Sequence, residues 1–185
     1  MSEKRIYTMG HSNLGISDFI EILKVYGVEL LCDIRSWPRS RKWPQFDRDS
    51  LAQSLETAGI DYAWLGNRRG GWRKNVPGSE RHRAIRSEGF RAYVAHLSSE
   101  EGQAGIDELA KLAARKTVAC MCAEKLPFRC HRWFLSDFLV LRGFEVIHII
   151  DRHTARPHRL SPLIRLENGK PIYDRTAQPE LDGLE

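Results

Sequence analysis

The residues best suited to chemistry lie in one short segment, CAEKLPFRCHR, which runs from Cys122 to Arg132. It holds two thiols, a carboxylate, an imidazole and guanidinium groups, which are common metal ligands, nucleophiles and general bases in enzymes. The candidate catalytic residues in this segment are Cys122, Glu124, Cys130 and His131, and Arg132 is a candidate anion-binding residue.

Three interpretations of the segment remain open. The two cysteines and His131, helped by Glu124 or His11, can bind zinc or iron, although the cysteine spacing matches no standard zinc finger. Alternatively, one cysteine is a thiolate nucleophile or redox centre with a histidine or Glu124 as its base. In the third interpretation the thiols are small buried hydrophobic groups, and Glu124 pairs with Arg132.

The other two cysteines, Cys32 and Cys120, are expected to pack in the core. Cys120 and Cys122 point to the same face of a predicted strand because strand side chains alternate, and Cys120 should lie deeper. Three of the four cysteines lie within residues 120–130, whereas the cysteines of a secreted disulfide framework are dispersed along the chain. The first residues contain no signal-peptide core, and no apolar run reaches the roughly 20 residues of a membrane span, so we expect a cytoplasmic protein.

Strands and helices alternate along the chain, and this alternation positions the reactive segment. Strands are predicted at 5–9, 30–34, 60–65, 117–121 and 146–150, and helices at 18–26, 47–58, 90–97, 105–114 and 131–141. The pattern predicts a three-layer, doubly wound α/β fold with about five mainly parallel strands at 1–160. Residues 163–173 predict a C-terminal β-hairpin around Asn168-Gly169, within a terminal segment 161–185 that packs on the same domain.

Polar residues follow every predicted strand. Ligands of an open parallel sheet bind beyond the carboxyl ends of its strands, so these residues should converge on one site. They include a further candidate catalytic residue, His11, and the further site candidates Ser12, Asp33, His148 and His158. The long segment 66–88 has no clear periodicity and raises the question of a lid over this site.

Positive charge is concentrated in residues 35–91, which contain 13 Lys and Arg against 6 Asp and Glu, together with four of the five tryptophans. Arginine next to glycine at a strand exit suits a clamp for phosphate or carboxylate. The candidate anion-binding residues here are Arg35, Arg39, Arg68 and Arg69. Basic residues interleaved with aromatic residues suit nucleotides and nucleic acids, whereas the alternative is a solvated basic face above core tryptophans.

The chain resembles the family catalogued as domain of unknown function 488 over nearly its whole length. The matching motifs are Gly10-His11-Ser12, Asp33-Ile34-Arg35, Leu65-Gly66, Cys122-Ala123-Glu124, Cys130-His131-Arg132, Val146–Ile149, His158 and the closing hairpin. The resemblance implies an α/β fold and highlights the same histidines, cysteines, arginines and Glu124. It implies no particular reaction.

Three functions are consistent with these observations. The first is an enzyme that acts on a nucleotide, nucleic acid or other phosphate-bearing ligand, using a metal site or a thiol nucleophile. The second is a non-catalytic nucleic-acid-binding module with a structural metal. The third is a thiol redox or metal-sensing protein.

Overall fold

The computed structural model describes residues 4–69, 71 and 76–176, with only the backbone of Arg68 and Arg69. Part of the predicted 66–88 loop and the tail after 176 therefore lie outside the described residues. Within the described part of the loop, short helical turns form at Gly66–Arg69 and Ser79–Arg81.

A six-stranded sheet forms the centre of the fold. Its strands are β1 (Arg5–Gly10), β2 (Leu30–Asp33), β3 (Asp61–Trp64), β4 (Val118–Cys122), β5 (Glu145–Ile149) and β6 (Ala155–Pro157), in the order β3-β2-β4-β1-β5-β6. The first five are parallel, which confirms the predicted sheet, and β6 pairs antiparallel with β5. Sequence reasoning missed β6, which is only three residues long and ends in proline, a residue that sheets tolerate at an edge.

Helices cover both faces of the sheet. They are α1 (Ile16–Val25), α2 (Arg48–Thr57), α3 (Gly66–Arg69), α4 (Glu88–Ser98), α5 (Glu100–Ala113) and α6 (Arg132–Leu141). On one face α1 and α2 bury residues such as Phe19 and Leu51, and on the other α4, α5 and α6 bury residues such as Tyr93 and Leu139. This arrangement confirms the predicted three-layer, doubly wound fold.

Two helices begin earlier than predicted because serine side chains cap them. The Ser87 hydroxyl accepts a hydrogen bond from the backbone N–H of Phe90 at the start of α4, and Ser99 accepts one from Gly102 at the start of α5. The first turn of α5 is polar and carries Glu100 and Glu101, so it adds nothing to the apolar periodicity from which its start was predicted.

The C-terminal hairpin consists of β7 (Ile164–Glu167) and β8 (Lys170–Tyr173). Its turn residues have positive φ angles, 51° at Asn168 and 75° at Gly169, as a type I′ turn requires, so the predicted hairpin is confirmed. Tyr173 is fully buried against the α4–α5–α6 side of the core. Through Tyr173, the hairpin thus packs on the layer formed by α4, α5 and α6.

The strand order opens a crevice at the carboxyl end of β4. The chain leaves β1 and β2 toward α1 and α2, but it leaves β4, which lies between them, toward α6 on the opposite face. The connecting loops therefore diverge on both sides of β4. Such a switch point is where doubly wound sheets bind ligands.

The length and composition of the helices decide whether any of them could span a membrane. Among residues 4–69, 71 and 76–176, no helix is both long enough and apolar enough to cross a bilayer.

Gly10, at the end of β1, should be intolerant of any side chain. A Cβ atom there would lie 1.8 Å from the carbonyl oxygen of Glu124, so backbone would have to move. We expect Gly10→Ala to lower the free energy of unfolding by about 1–3 kcal/mol. Urea denaturation measures this.

Gly89→Ala is the matched control for Gly10→Ala. Gly89 lies in α4, where a Cβ atom would meet nothing closer than the Ser87 hydroxyl at 3.9 Å. Alanine should stabilise the helix by about 0.5–1 kcal/mol at that position. Equal urea midpoints for Gly10→Ala and the wild type would contradict the tight packing at β1.

Candidate functional site

Two thiols and an imidazole meet at the carboxyl end of β4. Cys122 is the last residue of β4, and Cys130 and His131 directly precede α6. The two sulfur atoms are 2.9 Å apart, and His131 Nδ1 lies 3.7 Å from Cys122 Sγ and 3.6 Å from Cys130 Sγ. No disulfide joins the cysteines, and this buried Cys-Cys-His group could hold a metal ion.

The orientation of His131 is set by a hydrogen bond to the end of β2. Its Nε2 lies 3.1 Å from the carbonyl oxygen of Ile34, and because a carbonyl only accepts, Nε2 carries the hydrogen. In the neutral ring Nδ1 is then unprotonated and presents its lone pair to the sulfurs. Tyr93 packs edge-on against the ring, and a Cβ on Gly71 would come within 2.6 Å of it.

The surroundings shift the pKa values of the two thiols in opposite directions. Burial opposes ionisation of Cys130, but the hydrogen bond with Cys122 and the charge of Arg132 hold its pKa well below the ordinary value. The backbone N–H of Arg132 also donates to Cys130 Sγ, at 3.4 Å. The hydrogen bond with Cys130, together with burial, raises the pKa of Cys122. Of the two thiols, Cys130 is therefore the one that ionises more readily.

On the other side of β4, Asp33 and Arg35 form a buried ion pair. The Arg35 guanidinium binds both carboxylate oxygens, through Nε at 2.9 Å and Nη2 at 2.6 Å. Tyr62 donates a further hydrogen bond to Asp33, and Arg35 Nη2 also donates to the carbonyl of Phe46. Arg35 is thus fixed in place, with its charge balanced locally.

His11 joins this ion pair from the end of β1. Its Nδ1 lies 3.0 Å from the Ser12 carbonyl, and its Nε2 lies 3.4 Å from Nη1 of Arg35, which can only donate. The ring also stacks on Phe46 at 4.2 Å. Burial and the charge of Arg35 lower the pKa of His11 to about 4, so the ring is neutral at physiological pH. Ser12, the next residue, has a φ angle of 50°, an uncommon backbone conformation at a cleft wall.

Arg132 and Glu124 meet through the main chain. Nη2 of the buried Arg132 donates to the carbonyl oxygens of Glu124, at 2.5 Å, and Lys125, at 3.2 Å. No described residue forms an ion pair or hydrogen bond with the Glu124 carboxylate, which is exposed at the cleft. The interpretation in which Glu124 forms an ion pair with Arg132 is therefore wrong.

These groups form the floor and walls of an open cleft of about 1110 Å³. The sequence-predicted residues that line it are His11, Ser12, Arg35, Arg39, Cys122, Glu124 and His131. Cys130, Asp33 and Arg132 contact these residues from behind. The side chains of Arg68 and Arg69 lie outside the described residues.

The predicted site candidates His148 and His158 are placed away from the cleft lining. They hydrogen-bond to each other at 2.9 Å beneath α6, where His148 also contacts Thr8 and His158 contacts Asp137. Sequence reasoning missed Asp137, although an acidic residue on the apolar face of a helix between Leu135 and Phe138 is a usable signal.

Sequence reasoning also missed part of the cleft lining. The additional cationic and aromatic residues are Lys42, Lys125, Arg129, Trp37, Trp43 and Phe90. Their residue types were visible, but nothing in their spacing distinguishes them from other cationic and aromatic residues of the chain.

One known protein family matches this chain. The family model described as "Domain of unknown function DUF488" matches residues 15–139, which is most of the chain. The chain belongs to this family. The DUF488 match includes the Cys-Cys-His group, whereas His11 and the C-terminal hairpin lie outside the matched residues. No curated protein and no solved structure matched the chain.

The low pKa of His11 in this DUF488 protein makes folding depend on pH. Unfolded His11 takes up a proton near its ordinary pKa of 6.5, whereas the folded state resists protonation until about pH 4. The free energy of unfolding should therefore fall as the pH falls through this window. His11→Gln should reduce the slope by up to about 1.4 kcal/mol per pH unit.

Urea denaturation at several pH values checks this prediction. Above pH 7 the wild type and His11→Gln should differ by a constant free energy, because neither then gains a proton at this position. That range is the internal control. Parallel curves between pH 4 and 6.5 would show that His11 titrates normally in the folded protein.

Proposed function

We propose that this protein is an enzyme that acts on a nucleotide or nucleic acid, with its chemistry centred on Cys122, Cys130 and His131. One observation carries the proposal: the Cys-Cys-His group lies at the floor of a strongly cationic cleft. The described cations that line this cleft are Arg35, Arg39, Lys42, Lys125 and Arg129, and the one carboxylate among the described lining residues is Glu124.

The charge of the cleft supports a phosphate-bearing substrate. Asp33 balances Arg35, but no described carboxylate pairs with the other four cations. Uncompensated positive charge in a concave site attracts anions and raises their local concentration. A substrate with several negative charges fits this cleft better than a neutral one.

The aromatic lining supports a substrate with a base. Trp37 is 74% exposed and lies at the cleft together with Trp43 and Phe90. Exposed aromatic rings next to cations stack nucleobases while the cations contact phosphates. This combination favours a nucleotide or nucleic acid over inorganic phosphate.

The donor set of the Cys-Cys-His group fits zinc or iron. Tetrahedral zinc ligands place sulfur and nitrogen about 3.5 Å apart and two sulfurs about 3.8 Å apart. The observed sulfur–nitrogen distances are close to this, while the sulfurs, now 2.9 Å apart, would have to separate by roughly 0.9 Å. The hydrogen bond from His131 to Ile34 is the kind that orients a ligating histidine.

Each residue has a role that follows from its position. Cys122 and His131 reach the cleft floor, while Cys130 lies behind them and is the more readily ionised thiol. The Glu124 carboxylate is placed to accept a proton from a bound substrate or water. A metal ion bound to the group would supply a Lewis acid for a substrate oxygen.

A dithiol redox centre is a second candidate, favoured by the 2.9 Å distance between the sulfurs. Oxidation by a peroxide would join Cys122 to Cys130, with the two thiols losing two protons and two electrons as the peroxide becomes water or alcohol. The low pKa of Cys130 suits such a centre.

Removing two cleft cations should weaken substrate binding. We expect Arg39→Gln/Lys42→Gln to lower the affinity for a fluorescent single-stranded oligonucleotide at least tenfold in low salt. The slope of log affinity against log salt should also decrease by about 1–2, because fewer phosphates are neutralised. Lys24→Gln/Lys111→Gln, with the same charge change on α1 and α5, should bind like the wild type.

Glu124→Gln separates an enzyme from a binding module. This variant removes negative charge from the cleft, so it should bind the oligonucleotide as tightly as the wild type or more tightly. Conversion of nucleotides or oligonucleotides, followed by chromatography of the products, should be lost. Binding without conversion by the wild type would favour a non-catalytic nucleic-acid-binding module, and no binding by any variant would sink the proposed substrate class.

Metal analysis tests the Cys-Cys-His group directly. We expect freshly purified wild type to contain about one equivalent of zinc or iron and Cys130→Ala to contain none, because two ligands hold a metal far less tightly than three. Cys32→Ala, which removes a buried cysteine outside the group, should retain the metal.

The same samples distinguish the redox candidate. A wild type that holds no metal, even after reconstitution with zinc or iron, would exclude the metal site. Peroxide should then remove two of the four thiols of the wild type and two of the three thiols of Cys32→Ala, but form no intramolecular disulfide in Cys130→Ala. Retention of all four thiols in the wild type would exclude the redox centre.

A further inference from the structure

Arg132 is a buried cation that contacts no carboxylate among the described residues. The residue is 1% exposed, and within the described ranges 4–69, 71 and 76–176 its guanidinium donates only to two backbone carbonyls and, at 3.5 Å, to the hydroxyl of Thr8. Its Nε has no hydrogen-bond partner in the part of the chain that the structure describes. A buried charge without compensation destabilises a protein by several kcal/mol, and the neighbouring Cys130 thiol, which meets the Arg132 backbone N–H, compensates it only when ionised.

Asp137 is a buried anion that contacts no described lysine or arginine. Its carboxylate accepts hydrogen bonds from the Tyr173 hydroxyl at 2.7 Å, the Ser161 backbone N–H at 2.9 Å and His158 Nε2 at 2.9 Å. No described lysine or arginine reaches it. Arg132 and Asp137 thus lie on the same helix, and among the described residues neither pairs a guanidinium or ammonium group with a carboxylate.

A continuous chain of side chains connects the two residues. From Asp137 it passes to His158, then to His148 Nε2 at 2.9 Å from His158 Nδ1. His148 Nδ1 lies 2.6 Å from Thr8 Oγ1, which accepts from Nη1 of Arg132 at 3.5 Å. All members of the chain are buried, and Trp133 packs against both histidine rings.

Hydrogen-bond chemistry gives the chain one direction. The carboxylate only accepts, so His158 Nε2 donates to Asp137 and the other nitrogen of a neutral His158 must accept. His148 Nε2 then donates to His158, and His148 Nδ1 accepts from the Thr8 hydroxyl. Burial and the charge of Arg132 lower the pKa of His148 to about 3, which is consistent with a neutral ring.

We propose that a buried polar relay balances the charge of Arg132; its members are Thr8, His148, His158 and Asp137. Through Arg132, these four residues act as positioning residues of the cleft. Each donor in the relay points from the cation toward the anion, so the aligned dipoles stabilise both charged ends. The relay acts through Arg132, whose Nη2 holds the carbonyls of Glu124 and Lys125 in the cleft wall. It is independent of the proposed substrate.

The relay specifies histidine tautomers that NMR can read in the wild type. We expect ¹⁵N-edited long-range spectra at pH 7 to show both His148 and His158 as neutral rings with the hydrogen on Nε2. A doubly protonated His158 would instead make a local ion pair with Asp137 and would overturn the proposal. An Nδ1-protonated tautomer of either ring would also overturn it.

A double-mutant cycle measures the coupling between the two ends. Asp137→Asn and Arg132→Met should each destabilise the fold, because each leaves the opposite charge uncompensated. Because the two residues are coupled, the double variant should be destabilised less than the two single changes together. Its unfolding equilibrium constant should be at least tenfold smaller than the product of the two single effects predicts. Arg132→Met combined with Asp33→Asn is the control, because Asp33 is balanced by Arg35 and its effect should be additive. Additivity in both cycles would contradict the relay.

Thr8 offers a milder test if either charge variant fails to fold. Thr8→Val keeps the shape of the side chain but removes the hydroxyl, so the ¹⁵N shift of His148 Nδ1 should move toward that of a nitrogen without a hydrogen-bond donor. Thr8→Ser keeps the hydroxyl and should retain the wild-type shift. Ser136→Ala, which removes a buried hydroxyl that bonds to the Arg132 backbone, should leave the shift unchanged. Identical His148 shifts in Thr8→Val and wild type would overturn the relay.

Discussion

Strand β4 runs between β1 and β2, yet the chain leaves it toward the opposite layer of helices. Most other features of the cleft depend on this constraint. The loops after β1 and β2 bring His11 and the Asp33–Arg35 pair from one side, and the loop after β4 brings the Cys-Cys-His group from the other. The hydrogen bond from His131 to the Ile34 carbonyl joins the two sides across the sheet edge.

Two buried arginines support the cleft, and their charges are balanced differently. Arg35 binds Asp33 in a direct bidentate pair, which leaves little freedom for either side chain. Arg132 hydrogen-bonds to carbonyl groups of the cleft wall and lies at the end of a polar chain that reaches Asp137. Since both guanidinium groups are held from behind, the cations free to meet an anion are the exposed ones, such as Arg39 and Lys42.

The sequence was sufficient to predict the fold and much of the cleft lining, because alternating strands and helices leave few arrangements for a parallel sheet. Cys122 and His11 could be assigned to one edge because both follow predicted strands, without knowledge of the strand order. The partners of Arg132 and Asp137 could not be predicted, because they depend on which side chains meet beneath a helix. His148 illustrates the limit: its strand was correct, but the sequence could not show that its ring bonds to Thr8 and His158.

The burial of Tyr173 in β8 has a consequence for synthesis of the protein on the ribosome. Every described residue of the cleft precedes position 132, but the Tyr173 hydroxyl that bonds to Asp137 is translated some forty residues later. A nascent chain that ends before the hairpin already contains all described cleft residues, but it still lacks one hydrogen-bond donor to Asp137. Because domains fold as their chain emerges, such an intermediate would expose the apolar surface that the hairpin covers.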